Sequence, residues 1–423
     1  MGISLRKSVG DGSIRTISVN AIVGISKGET LMKEVVIVSA VRTAIGTFGG
    51  TLRDYPAPDL AGEVIKEAIR RAGVPGDQVG DVILGQCMQR TDEATTGRLA
   101  ALKAGLPITV PGVTIQRNCA SGMQAIIYGA QQIMLGDMDI VVAGGVEVMS
   151  RTPYMLNTAR WGQRLQHGVM SDGLWDGLTD AWSGLIMGLT AENLAEKFNI
   201  SREEQDEIAL RSHNNAEAAS TSGKFKEEIL PISIPQKKGE PLVFDKDEHF
   251  RPGLTMDQLA RLKPTFKKDG TVTAGNASGI NDAAAAVVLM SADKAKELGV
   301  APIARLRGYG LGAVEPELMG YGPVPATKQA LERTGMKLSD MELIELNEAF
   351  AAQYLACEKL LDLNREITNV NGSGIGLGHP VGCTGTRIIV TLLHEMKRRG
   401  NSIGLATLCV GGGMGQTTIW EMC

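Results

Sequence analysis

Short, wholly apolar runs alternate along this chain with longer segments of helical period. Glu34–Ser39 (EVVIVS), Asp81–Leu84 (DVIL), Val113–Ile115 and Asp139–Gly145 (DIVVAGG) have the length and continuity of buried strands. Between them, Asp59–Ala72 sets Leu60, Val64, Ala68 and Ile69 on one helical face, and Thr96–Ala104 predicts a short helix. From Met123 a further helix follows, with Ile126, Ile127, Ala130, Ile133 and Met134 apolar at helical spacing. This alternation predicts a parallel α/β layer covered on both faces.

The pattern breaks from about Met149 to Gly279, where strand signal fades into polar helices and Pro/Gly loops. Ser201-Arg202-Glu203-Glu204 has the form of a capping box opening a helix to about Ala219. The block is too long for a connection within one domain and reads as an inserted loop domain. Asp282–Met290 (DAAAAVVLM) then returns to a buried strand, and from about Ala301 the α/β pattern begins again. The second half echoes the first. Ala68–Gly73 before the strand at Asp81 has a partner in Ala330–Gly335 before a strand at Glu342, and Asp139–Gly145 is echoed by Ile403–Gly413. Two similar halves related by a pseudo-twofold axis would meet at a junction suited to a site. The expected divisions are residues 32–148 plus 280–300, a loop domain over 149–279, and a C-terminal half over 301–423. Residues 1–31, without a clean period, read as an upstream extension or leader; Asp11 and Glu29 argue against an organelle-targeting peptide.

The composition excludes several classes. With 423 residues, 43% hydrophobic and 21% charged, the chain has the make-up of a multi-domain globular protein. A net charge of −4, no long basic run and only 4% aromatic residues leave no nucleic-acid or anionic-membrane partner to expect. Six cysteines without a CxxC pair suit a reducing, cytosolic setting better than a disulfide framework or a zinc site. No GxGxxG opens a helix after a strand and no GxxxxGK[ST] occurs, while His394-Glu395 lacks the second histidine of a zinc protease because Arg398 stands there. No metal is expected.

Four stretches carry candidate chemistry. Asn118-Cys119-Ala120-Ser121-Gly122 is a tight turn between strand and helix, so Cys119 sits at a helix start, where free N–H groups favour a thiolate. Glu345–Phe350 (ELNEAF) lies where a strand passes into a helix. Asn371–Gly385 (NGSGIGLGHPVGCTG) brings His379 through a glycine-rich loop to a helix over Thr386–Arg399, and Leu405–Gly415 (LATLCVGGGMG) ends a strand at Cys409 before a glycine turn. Taken singly, Cys119 could be a packed thiol, His379 a loop histidine, Asn347 a helix cap and Gly411 a plain turn. Cys383, Cys87, Cys357 and Cys423 read as structural.

In this order, NCASGMQA, NASGIND, NEAF, GHPxG and CVGGGMG resemble the signatures of the thiolase family, across essentially all of residues 32–423. The resemblance implies a duplicated α/β fold of five layers, αβαβα, with an inserted loop domain. Within the family the chain is most similar to the biosynthetic acetyl-CoA acetyltransferases. That implies a reversible Claisen condensation of two acetyl-CoA to acetoacetyl-CoA and coenzyme A, through an acetyl-cysteine. By the same resemblance Cys119 is the acylated nucleophile, His379 the base that activates it, and Cys409 the thiol that moves the α-proton. Asn347, through a water, and His379 would hold the enolate oxygen; the N–H groups of Cys119 and Gly411 would hold the tetrahedral oxyanion. Leu178, Met187, Arg251, Ala277, Ser278 and Met319 match coenzyme A contacts. The substrates would be coenzyme A thioesters with no permanently bound cofactor, and the assembly a homodimer or homotetramer. Ser373, Gly374, Gly376, Leu346 and above all Ile186, where many biosynthetic members have histidine, depart from the family pattern and bear on acyl-chain preference. The alternatives are a degradative 3-ketoacyl-CoA thiolase of longer-chain specificity and a non-catalytic acyl-CoA-binding paralogue.

Overall fold

The computed structural model describes residues 32–423, so the reading of residues 1–31 as a leader lies outside the described residues. The first half contributes β1 (Val35–Thr43), β2 (Asp81–Gly85), β3 (Gly112–Ile115), β4 (Ile140–Val148) and β5 (Asn281–Ser291). The second contributes β6 (Ala304–Ala313), β7 (Leu343–Leu346), β8 (Ile403–Val410) and β9 (Met414–Met422). The strand order β7-β8-β9-β6-β1-β5-β4-β2-β3 is continuous, because β1 and β6 pair antiparallel through Val36↔Arg305 and Ile37↔Ala304. Thr368 bridges Ile344 in parallel beside β7, as β3 flanks β2. From the outer edge inward, both halves therefore read third, second, fourth, fifth, first in chain order. This is the duplication, and it pairs β4 with β8 as the echo of Asp139–Gly145 in Ile403–Gly413 requires.

Neither half is purely parallel, in contrast to the layer the alternation predicts. β2 runs parallel to β3 and β4, but β5 is antiparallel to both β4 and β1, and β9 is antiparallel to β8 and β6. In the second half the reason is local. β8 and β9 are joined by Gly411–Gly413, too short for anything but a hairpin, which forces antiparallel neighbours. In the first half the loop block intervenes and gives β5 room to enter from the other end.

The helices complete the layers. α1 (Ala57–Ala72) packs on β1, β4 and β5, and α2 (Thr96–Lys103) on β2 and β3; α3 is Ser121–Leu135. In the loop block lie α4 (Met187–Lys197) and α5 (Arg202–Thr221), and in the second half α6 (Pro323–Thr334), α7 (Ala351–Leu361) and α8 (Val381–Arg399). α6 packs on β6, β8 and β9, whereas α8 contacts α3 and strands of both halves. The pair α3/α8 is thus the central layer. Their first turns meet closely: a Cβ on Gly122 would lie 2.5 Å from Thr386 Oγ1 and 3.0 Å from the Gly382 carbonyl oxygen. Only glycine permits this approach.

α8 begins at Val381, five residues before the Thr386 that the sequence pattern indicates. Gly382 and Gly385 have poor helix propensity and hide the first turn from sequence reasoning. Contact with α3 overrides that preference.

The loop block is tied to β1. The fully buried Arg42 donates to Glu228 Oε1 at 2.7 Å and to both carboxylate oxygens of Asp247 at 2.7 and 3.0 Å. The Ser201 capping box forms as expected: Ser201 Oγ accepts from Glu204 N at 3.1 Å and Glu204 Oε2 from Ser201 N at 2.7 Å. Strand content there is limited to short pairs, such as Ile232–Ile234 with Leu242–Phe244 and Tyr154–Met155 with Ser171–Asp172. Among the described residues no helix is long and apolar enough to cross a membrane.

Candidate active site

The N-terminal ends of α3 and α8 and the C-terminal ends of β7 and β8 converge where the halves meet. Cys119 stands two residues before α3 in a turn held by Ser121, whose Oγ accepts from Arg117 N at 2.8 Å and donates to the Asn118 carbonyl at 2.7 Å. The backbone N–H groups of Gly411 and of Cys119 itself act on the Cys119 thiol. They favour the thiolate, but burial outweighs them and pushes the thiol up to about 11. The thiolate that the helix-start argument anticipates is therefore absent at neutral pH. A helix end is a weak, partial charge; loss of water around sulfur costs more.

One measurable consequence concerns reactivity. Iodoacetamide alkylation of Cys119, followed on its own peptide by mass spectrometry, should accelerate about tenfold per pH unit from pH 7 to 10, because the thiolate fraction rises that steeply below the pKa. A plateau beginning near pH 7 would show a pre-formed thiolate and contradict this.

His379 lies just before α8 and is held largely from the first half. Its backbone N–H donates to Asn281 Oδ1 at 2.9 Å. Glu147, on β4 and buried, accepts from Gly382 N in the first turn of α8 at 2.9 Å and from Cys87 N and Met88 N at 2.9 and 3.1 Å. α8 has no side-chain cap of its own, so Glu147 takes that place across the interface. Burial pushes its carboxyl up to about 7 in spite of these donors.

The tautomer of His379 follows from hydrogen counting. Both contacts of Thr384 Oγ1 are hydrogen bonds only when its single hydrogen goes to the Pro380 carbonyl at 2.9 Å and it accepts from His379 Nδ1 at 2.7 Å, the arrangement that makes two bonds in place of one. Nδ1 carries the proton and Nε2 holds the lone pair. Burial first, then the Arg387 cation, pushes His379 down to about 3, so the imidazole is neutral at physiological pH. Nε2 has no hydrogen-bond partner among the described residues, Cys119 included. Thr384 is a residue that sequence reasoning passed over; a hydroxyl five positions after the histidine, on a helix start, is the signal that could have found it.

Asn347 is fully buried just past β7, its N–H donating to the Thr407 carbonyl at 3.0 Å. Both amide atoms of its side chain lack partners among the described residues. The amide faces the turn that leads to His379: a Cβ on Gly374 would come within 2.7 Å of Asn347 Oδ1. Cys409, fully buried near the end of β8, is pushed well above the ordinary thiol value by burial and then by the neighbouring Cys119.

Most of the other candidate residues fall into two apolar clusters, one against which Cys119 packs and one that holds Cys409. Cys119 packs with Leu178, Met149, Leu174 and Val381; Cys409 shares its cluster with Met187, Ala277 and Met319. Met187 also approaches Gly411, and its N–H donates to the Leu178 carbonyl at 2.9 Å. Ala277 bridges Phe350 and Ser278 N donates to the Ala349 carbonyl at 2.9 Å, which sets this segment against the Asn347 loop. Met319 is buried, whereas Arg251 is exposed, its backbone N–H donating to His213 Nδ1 at 3.2 Å. Cys383 is fully buried in the core, as a packing role requires.

Comparison with known proteins bears on this arrangement. The family descriptions "Thiolase, N-terminal domain" and "Thiolase, C-terminal domain" match residues 35–293 and 300–422. An acetyl-CoA acetyltransferase of Chromobacterium violaceum is 52% identical over 383 residues, 90% of this chain and 98% of its own length. The crystal structure of the Bacillus anthracis acetyl-CoA acetyltransferase superposes with a TM-score of 0.92 at 56% identity, covering 93% of this chain and all of that one. Human mitochondrial 3-ketoacyl-CoA thiolase in complex with CoA does so with a TM-score of 0.90 at 44% identity, covering 93% and 99%. With both halves matched in full and the duplicated topology in place, this chain belongs to the thiolase family.

Proposed function

We propose that the chain is an acetyl-CoA C-acetyltransferase that condenses two acetyl-CoA to acetoacetyl-CoA and coenzyme A, and runs the reverse thiolysis. The observation that carries the reading is the meeting of the two halves at Cys119, where the adjacent Asn118 donates to the Gly411 carbonyl at 2.8 Å, together with a second fully buried thiol, Cys409, near the end of β8.

In this reading His379 Nε2 takes the proton from Cys119 Sγ as the sulfur attacks the thioester carbon. The oxyanion is held by the N–H groups of Cys119 and Gly411, which need no reorganisation as charge develops. The C–S bond to coenzyme A breaks and the leaving thiolate recovers the proton from His379, which leaves acetyl-Cys119. His379, neutral again, takes the proton of Cys409, and the Cys409 thiolate so formed removes an α-proton from the second acetyl-CoA. The resulting enolate oxygen is stabilised by His379 and by a water on the Asn347 amide, whose unpartnered atoms fit that use. The enolate carbon attacks acetyl-Cys119, the C–S bond to Cys119 breaks, and His379 returns its proton to the departing sulfur, so that Cys409 keeps the α-proton and both thiols are restored. A neutral His379 with Nδ1 fixed by Thr384 suits the first step, because only the Nε2 lone pair can accept.

The loop block over 149–279 is the coenzyme A-binding domain in this reading, with Arg251 toward the nucleotide phosphates and Leu178, Met187, Ala277, Ser278 and Met319 around the pantetheine. Six free thiols suit a cytosolic setting. The segment Tyr154–Met170 exposes Tyr154, Leu156, Trp161, Leu165, Val169 and Met170, with Trp161 87% exposed, and so much bare apolar surface calls for a covering subunit. A homodimer or homotetramer is the expected result of light scattering at micromolar concentration; a monomer would overturn that part.

Chain-length preference is tested by thiolysis of acetoacetyl-CoA against a C8 3-ketoacyl-CoA. We expect kcat/KM to favour acetoacetyl-CoA by at least about tenfold, the discrimination that a few methylenes in a closed apolar pocket provide. The reverse preference would assign the chain to the degradative, longer-chain thiolases.

A further inference from the structure

We propose that Asn118 is a positioning residue that holds the Gly411 peptide in register with Cys119, so that the N–H groups from the two halves meet one oxygen. The inference rests on the acyl-transfer reading above and extends it to a side chain that never touches the reacting atoms.

Asn118 Nδ2 donates to the Gly411 carbonyl at 2.8 Å, a contact between residues 293 apart in the chain and on opposite halves. The residue is well suited to this reach. Its φ is +43°, in the left-handed region, where asparagine is among the few non-glycine residues accommodated without large cost. Its own carbonyl is pinned inside the turn by Ser121 Oγ at 2.7 Å and Ser121 N at 3.0 Å, so the backbone carrying the amide cannot drift.

Gly411, in contrast, has little to orient it. It opens a run of three glycines, of which Gly412 and Gly413 have φ of +87° and +77°. A run without side chains has no packing of its own to choose one peptide orientation, so neighbours must impose it. The Gly413 end is held by Val314 N, which donates to the Gly413 carbonyl at 2.7 Å. At the Gly411 end that task falls to Asn118. Its amide faces Gly411 closely: a Cβ there would lie 3.3 Å from Asn118 Nδ2 and 3.7 Å from its Cγ. The backbone N–H of the same glycine is one of the two that favour the Cys119 thiolate. One side chain, adjacent to the nucleophile, therefore sets the distance between the nucleophile and the donor that serves it.

The test uses the full chain with Asn118→Gly and Asn118→Asp. Glycine keeps the left-handed backbone and removes the amide; aspartate keeps the shape and replaces the donor by an acceptor facing a carbonyl. Three quantities are read: kcat and KM for acetoacetyl-CoA thiolysis, the alkylation rate of Cys119 by iodoacetamide at pH 8, and Tm. We expect kcat to fall by about tenfold to a hundredfold in both variants, the effect of an ångström-scale misplacement at a reacting centre. KM should stay within about threefold, since uniform binding is not removed. Alkylation should slow by about threefold or more as the Gly411 N–H leaves the sulfur. A purely structural role would lower Tm and leave kcat per folded molecule unchanged. A kcat within twofold of wild type in either variant, or a loss confined to KM, overturns the proposal. If the wild-type chain itself shows no thiolysis, the acyl-transfer reading fails instead, and unchanged Cys119 alkylation in the variants would then overturn the positioning role separately.

Discussion

Cys119→Ala is expected to abolish acetyl transfer from acetyl-CoA to the protein, with kcat for thiolysis down by on the order of 10⁶, as when other covalent catalysts lose their nucleophile. Incubation with radiolabelled acetyl-CoA followed by denaturing gel should show label on the wild-type chain and none on the variant. Five other thiols remain, so the experiment also tests whether any can substitute. Cys383, Cys357 and Cys409 are fully buried, which leaves exposed Cys423 and half-buried Cys87; Cys87 is the neighbour to watch, because its sulfur lies 3.7 Å from Ser121 Oγ, and burial chiefly pushes it well above the ordinary thiol value. Label retained on Cys119→Ala at the wild-type level would mean that the acyl group is carried elsewhere, and the proposed mechanism would fall.

Cys409→Ala should separate the two half-reactions. Acylation of Cys119 needs His379 and the two N–H donors, none of which the substitution removes. Condensation needs a base for the α-proton, and with Cys409 gone nothing else is assigned to that task. The variant should therefore take up label from acetyl-CoA and hold it, while acetoacetyl-CoA formation falls by at least about 10²-fold to 10⁴-fold, the contribution of a positioned acid–base group. Exchange of the acetyl methyl protons with deuterated water should stop with it. Condensation at the wild-type rate would overturn the assignment of Cys409. The fold itself should tolerate the change, because removal of one sulfur from a buried site costs about 1–2 kcal/mol at most.

What could be read in the residues alone is extensive. The buried runs at Val35–Thr43, Asp81–Gly85 and Ile140–Val148 are strands within a few residues of the expected limits, since strands covered on both faces must be apolar throughout. The Ser201 capping box and the αL glycines that stop α1 and α8, Gly73 and Gly400, depend on local backbone geometry and are equally legible. The repeat of Asp139–Gly145 in Ile403–Gly413 foreshadowed the duplication, because equivalent places in two copies impose equivalent burial. Five short motifs in one order carried the family, and with it the expected roles of Cys119, Asn347, His379 and Cys409.

The tertiary structure decided what depends on groups far apart in the chain. The first turn of α8 is helical because Gly382 and Gly385 let it meet α3, a contact no local propensity contains. The Cys119 thiol is pushed up, not down, because the water lost around sulfur on packing outweighs the helix-end and N–H contributions that a motif advertises. His379 owes its placement to Asn281 and Glu147 from the other half, and its tautomer to Thr384. Asn118 meets Gly411 only after the halves close on each other. The amino-acid order by itself determined which elements form and which side chains can do chemistry, because burial pattern and backbone preference act over a few residues. Protonation state, hydrogen-bond direction and the meeting of the two halves were decided by packing, because desolvation and long-range contacts exist only once the chain has folded.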